Sequence, residues 1–159
     1  SQDSGLLQAM VPMPSELNDT VKGSDGDAFN WYDWRVENWG TKWDIDTEGL
    51  EFHDNGDGTA TIEGYFDSAW APPIEAYNTF LDMMDGCSIE AYYEEGGMDF
   101  AGMYEDGEDT YLDDVSEYAR TKLKTGESGS SVYDLLDERM ELTESRAEWL
   151  AEEEDEELA

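Results

Sequence analysis

The chain of 159 residues carries 42 Asp and Glu against 8 Lys and Arg, a formal net charge of −34. That density is comparable to duplex DNA, with its one charge per about 1.7 Å of axis, so direct binding of nucleic acid or of an anionic membrane is disfavoured. A single Cys and a single His exclude a disulfide scaffold and a zinc site of the usual Cys/His type, while six Trp, nine Tyr and five Phe supply enough apolar surface for a folded core.

In chain order, Leu6 to Leu17 begins with an apolar stretch ending at Val11-Pro12-Met13-Pro14, which reads as a helix end followed by an extended connector. Lys22 to Asp27 reads as a polar loop. Asn30 can cap a short helix carrying Trp31, Trp34 and Trp39, stopped by Gly40, with its Trp face expected to lie on a sheet. Leu50–Asp54 and Thr59–Phe66 read as strands around Asn55-Gly56-Asp57-Gly58, a strong hairpin signal. Pro72-Pro73 opens a helix over Ile74–Met84, whose apolar residues recur at three- and four-residue steps.

Two further strands, Ser88–Glu94 and Met98–Glu105, are joined by Glu95-Gly96-Gly97, and Asp106-Gly107 marks another turn before Tyr111. Asp113 to Lys124 predicts a helix with Lys122 and Lys124 in its last turn, where they complement the dipole. After a small-residue linker, Gly126 to Ser131, one amphipathic helix is expected from a Ser cap through Trp149 and Leu150. The six consecutive acids from Glu152 to Glu157 are expected to fray as a solvated tail. These elements predict an α+β fold, with an antiparallel sheet and helices on one face. Residues 1–125 form its domain, and 126–159 a linker with an acidic helix or tail.

The segment Trp31-Tyr32-Asp33-Trp34-Arg35-Val36-Glu37-Asn38-Trp39-Gly40-Thr41-Lys42-Trp43-Asp44 resembles the signature of the YubB-type ferredoxin-like domain, a family of phages, plasmids and their bacterial hosts. The likeness extends to Val11–Leu17, to Phe66-Asp67-Ser68-Ala69-Trp70-Ala71-Pro72-Pro73 and to Tyr93–Gly102, covering about Leu6 to Leu112. It implies a ferredoxin-like sandwich without an iron–sulfur cluster and a mobile-element origin, and it brings no catalytic residues. An extra Trp-containing first strand has no counterpart before Leu6. Either that strand is missing or another segment completes the sheet, and the first case leaves an edge open to a partner strand, including a second copy in a homodimer.

None of the Asp-Gly runs meets the ligand register of a calcium-binding EF-hand loop, so they read as turns. His53, beside the hairpin turn, reads as a surface strand residue rather than a base, and Cys87 as a small buried residue. Arg35 and Lys42, two of few cations, are expected to stack on the surrounding Trp rings and to pair with Asp33 or Asp44; a groove for a small anion is the alternative. No enzyme, cofactor or metal is expected.

The acids are more telling. Glu141, Glu144, Glu148 and Glu152 step by three or four residues, about 5–6 Å apart on one helical stripe, and Glu153, Glu154, Asp155 and Glu156 continue the charge. Such a surface suits nucleic-acid mimicry against a basic host protein, such as a nuclease, restriction enzyme or CRISPR effector. Haloadaptation and plain solubilisation of a virion or assembly protein are the other readings. No stretch approaches the roughly 18 apolar residues of a membrane span, and no secretory signal is visible, so the cytoplasm of a host cell is the expected location.

Overall fold

In the computed structural model, residues 5–22 and 30–158 are described, so most of the loop expected at Lys22–Asp27 lies outside them. The fold is α+β with antiparallel sheets, and it divides into two units, Ser1–Cys87 and Ser88–Ala159.

Helix α1 (Leu6–Met10) ends before Pro12 and Pro14, and a 3₁₀ turn follows at Ser15–Leu17. Asp44 anchors the start of α1: its Oδ1 accepts the N–H of Leu7 and of Ile45, both at 2.8 Å, while Leu6 N–H donates to the Ile45 carbonyl. The chain passes so closely here that a Cβ on Gly5 would sit 2.5 Å from Asp44 Cγ and 2.6 Å from the Ile45 oxygen. Gly5→Ala is therefore expected to destabilise the protein by about 1–3 kcal/mol, the usual cost of overpacking, read as a lower denaturant midpoint.

Helix α2 (Trp31–Trp39) starts at Asn30, whose Oδ1 accepts the Asp33 N–H at 3.0 Å, and stops at Gly40, where φ is 80°. Left-handed backbone is cheap only for a residue without Cβ. Trp39 is fully buried among Leu7, Val11, Met13, Leu17, Ile45 and Ala76. The expectation that α2 rests on a sheet is corrected: α2 packs on α3 (Ile74–Met83) instead. The hairpin of β1 (Leu50–Asp54) and β2 (Ala60–Gly64) leaves its apolar face uncovered, with Phe52 69% and Ile62 62% exposed. At the tip of that hairpin, Asp54 Oδ1 accepts the Gly56 N–H, and hydrogen bonds from the Thr59 hydroxyl and N–H hold the Asp57 carboxyl below its ordinary value. Asx turns of this kind are what Asp-Gly runs form without any ion.

The second unit is a meander, β3 (Glu90–Glu95), β4 (Phe100–Glu105) and β5 (Glu108–Leu112), with helices α4 (Val115–Thr125), α5 (Ser131–Met140) and α6 (Leu142–Leu158). Strand β5 follows Asp106-Gly107, where the sequence signals a turn but no strand. Asp106 and Gly107, both at positive φ, form the two-residue connection closed by the Glu105 and Glu108 pair, the geometry that matches strand twist in hairpins. Ala101 of β4 packs with Val115, Ala119, Tyr133, Leu136, Leu142 and Leu150, two from each of the three helices, and Tyr118 stacks on Tyr133 at 5.5 Å.

Four further expectations are corrected here. The C-terminal segment is two helices, broken at Glu141, where φ is 54°. Its acids do not fray, because α6 is helical through Leu158. The division of the chain falls after Cys87, not at the Gly126–Ser131 linker, since α5 and α6 contribute Tyr133, Leu136, Leu142 and Leu150 to the second core. Cys87 itself is exposed rather than buried.

Candidate partner-binding surface

All eight cations of the chain lie among the described residues, and each has a partner within its own unit. In the first unit the partners are aromatic. Lys22 Nζ sits 3.6 Å from the Tyr32 ring centre, Arg35 spans Trp39 at 4.9 Å and Trp31 at 5.1 Å, and Lys42 lies 4.9 Å from Trp70 and 5.6 Å from Trp43. An aromatic face holds a cation without spending a carboxylate on it.

In the second unit five cations serve the helical layer. Arg120 bridges Glu117 and Glu153, the latter at 3.0 Å, and Lys124 reaches Glu154 at 3.3 Å. Lys122 donates to Asp137 at 2.6 Å. Arg139 lies 5.2 Å from the Tyr92 ring. Arg146, 4% exposed, donates to Glu94 Oε2 and to the Leu142 carbonyl, and its Nε is 3.7 Å from Asp99. Asp99 in turn accepts the Ser116 N–H and hydroxyl at the start of α4, so Arg146 ties α6 to the turn that starts α4.

The consequence for α6 is a division by face. Leu142, Arg146 and Leu150 recur every four residues and are buried. Glu144, Glu148 and Glu152 stand two residues on, about 200° around a helix of 3.6 residues per turn, and all are exposed. Adjacent carboxylates of this stripe are thus a little over one turn, ~6 Å, apart along the axis.

Of the eight acids expected to form the binding surface, Glu144, Glu148, Glu152, Asp155 and Glu156 are exposed on α6. Glu141 is exposed too, but at the break before the helix rather than on it. Glu153 and Glu154 are exposed as well, but each is paired with a cation of α4. The signal for that was present in Arg120 and Lys124 at one-turn spacing, although nothing in the sequence placed α4 beside α6. Trp149, part-exposed, adds an apolar element next to Glu148.

The residues of the Trp motif build the first unit. Trp34 meets Trp39 edge-on at 5.7 Å, Asn38 Nδ2 donates to the Trp34 carbonyl, and Thr41 Oγ1 donates to the Ala69 carbonyl at 2.7 Å. Pro73 is fully buried ahead of α3, and the Pro72 carbonyl accepts the Ile74 N–H. Arg35 Nη1 donates to the Lys42 carbonyl at 3.2 Å rather than to a carboxylate, because Asp44 is occupied by the start of α1. Burial pushes the Arg35 guanidinium below its ordinary value, and the nearby Asp44 charge partly opposes this. Trp43 and Trp70 are exposed, Trp70 at 79% with φ of 72°.

One group of potential metal ligands is present among the described residues: Glu51, His53 and Glu63, exposed on the hairpin. No helix among the described residues is long and apolar enough to cross a membrane.

Compared with known proteins, residues 38–157 match the family model described as the ferredoxin-like domain in Api92-like protein. No curated protein and no solved structure matches the chain.

Proposed function

The chain belongs to the family of the ferredoxin-like domain in Api92-like protein, and from that premise we propose that it is a non-enzymatic protein of the YubB type, from a phage or plasmid, that works in the host cytoplasm by occupying the nucleic-acid cleft of a basic host protein. One observation carries this reading. Every Lys and Arg has an internal partner, so the exposed face of α6 offers carboxylates that no cation of its own neutralises. A cleft built for phosphates recognises fixed negative charge at regular spacing, and it supplies the Lys and Arg this surface lacks.

Binding by occupancy of this kind is electrostatic, so capture of the partner from host lysate should fall at least about tenfold between 50 and 200 mM salt, and duplex DNA should compete. The triple variant Glu144→Gln, Glu148→Gln, Glu152→Gln should lose about tenfold or more in affinity while keeping Leu142, Arg146 and Leu150 in the core. A complex indifferent to salt and to these substitutions would defeat the proposal.

A second reading, adaptation to high salt or service as a virion-associated structural protein, is favoured by a different observation. Acids outside α6 are exposed too, at Glu51, Asp54, Asp57 and Glu63 of the hairpin and at Glu90, Glu105 and Glu108 of the second sheet. Haloadaptation makes the protein unfold in low salt, where self-repulsion is unscreened. Virion association makes it co-purify with particles.

A further inference from the structure

We propose that Glu51, His53 and Glu63 form a binding site for a borderline divalent transition metal, with Zn²⁺ the ion they suit best, on the β1–β2 hairpin. The site follows from strand register. Glu51 pairs directly with Glu63, and His53 pairs with Thr61. Residues i and i+2 share a face of a strand, and so do directly opposed residues. Two ligands from β1 and one from β2 therefore project on one side of the ladder, away from Phe52 and Ile62.

The distances suit coordination. His53 Nε2 lies 3.0 Å from Glu63 Oε1 and 3.6 Å from Glu51 Oε2, and the three donor atoms all lie within 4.8 Å of one another. Ligands about 2.0–2.2 Å from a tetrahedral Zn²⁺ stand about 3.3–3.6 Å apart, so small rotamer changes close the set. All three side chains are exposed, which gives the ion an entry path and leaves water for the remaining positions. Binding takes the Nε2 lone pair, so the metal competes with protons for this nitrogen.

This is more than an acidic patch, because the sole imidazole of the chain sets the selectivity. Carboxylates alone bind Mg²⁺ and Ca²⁺ diffusely in a protein this acidic, whereas an imidazole nitrogen favours Zn²⁺. A Cys/His site is excluded by composition, but that exclusion does not reach a His/Glu set. Metal would also cross-link two strands that are exposed on both faces, and a two-stranded ladder is marginal without such help.

The full chain, ¹⁵N-labelled, can be titrated with ZnCl₂ in excess MgCl₂, which saturates the diffuse carboxylate sites. Only one imidazole contributes signals, so the readout is unambiguous. One equivalent of Zn²⁺ should shift the His53 ring resonances to saturation and slow amide exchange across β1 and β2. His53→Ala and Glu63→Gln should each weaken Zn²⁺ binding about tenfold or more, with near-UV circular dichroism unchanged since both positions are exposed. The proposal is overturned if the imidazole signals ignore Zn²⁺, if Mg²⁺ alone shifts them equally, or if the variants bind Zn²⁺ as tightly as the native chain.

Discussion

Replacing Trp39 with alanine is expected to remove about 3–5 kcal/mol of stability, the range for truncating a buried large aromatic side chain. The ring is fully enclosed by residues of α1, the connector behind it, Ile45 and α3, so the space cannot collapse without moving several elements. A polar loss adds to the cavity. Trp39 Nε1 donates to the Val11 carbonyl at 2.8 Å across 28 residues of chain, and an acceptor left unpaired in a buried setting costs about 1–3 kcal/mol. Arg35 would lose one of the two rings it spans. Since a domain is stable by only about 5–15 kcal/mol, the first unit should be largely unfolded or strongly destabilised in the variant. Trp39→Phe separates the two contributions: it keeps most of the volume and loses the hydrogen bond. An unfolding free energy for Trp39→Ala within about 1 kcal/mol of the native value would refute this account.

The second large effect is expected at Asp137, which joins three elements. Its Oδ2 accepts from Lys122 Nζ at 2.6 Å and from Thr143 Oγ1 at 2.8 Å, and its Oδ1 accepts the Thr143 N–H at 2.7 Å. It thus secures the first turn of α6 across the break at Glu141 and binds α5 to α4. Asp137→Ala leaves these donors unpaired and is expected to cost about 2–4 kcal/mol.

The pH dependence has a definite sign. Burial raises the Asp137 carboxyl, but hydrogen bonds from Lys122 and Thr143 outweigh it and hold the group below the ordinary 3.8. The hydrogen bond to Asp137 raises Lys122 above 10.5 against the opposing effect of burial. The carboxylate's contribution is complete above its unfolded value and fades as pH falls through the lower, folded one. The ammonium's is complete below its unfolded value and fades as pH rises through the higher, folded one. The stability gap between the native chain and Asp137→Asn should therefore be flat from about pH 5 to 9 and shrink below about pH 3.8. Using the gap cancels the relief of self-repulsion that acid gives all 42 carboxylates. A gap that persists undiminished at pH 2 would exclude the carboxylate as its source.

The local elements were largely legible before the structure. Asn30 and Gly40 bracket α2, Asn55 to Gly58 turn the first hairpin, Pro72-Pro73 precede α3, and Lys122 and Lys124 end α4. What escaped detection did so for identifiable reasons. Strand β5 is Glu-Asp-Thr-Tyr-Leu, with acids where strand formers usually stand, so only its pairing with β4 identifies it. The break between α5 and α6 has no Gly or Pro. Glu141 takes a left-handed conformation, while Asp137 bonds the new first turn and Leu142 enters the core. The sequence periodicity runs on unbroken across it.

The candidate surface was partly legible in the same way. Helical spacing alone finds the stripe Glu144, Glu148 and Glu152, but it cannot tell free acids from Glu153 and Glu154, which belong to Arg120 and Lys124. Removing the C-terminal segment is consequently a poor test of its charge, since Leu142 and Leu150 leave with it. Face-specific substitutions keep the packing and change only the field.

Composition and spacing by themselves determined the acidity, the α+β class, the main turns and the helix that carries Trp39, because these depend on charge and on contacts within a few residues. Tertiary structure decided where each cation is held, which acids stay free, that the C-terminal helices complete a core rather than trail from it, and that His53 stands between two glutamates. Those outcomes depend on which segments lie side by side. That is set by burial of side chains far apart in the chain, and a residue's own neighbours in sequence do not encode it.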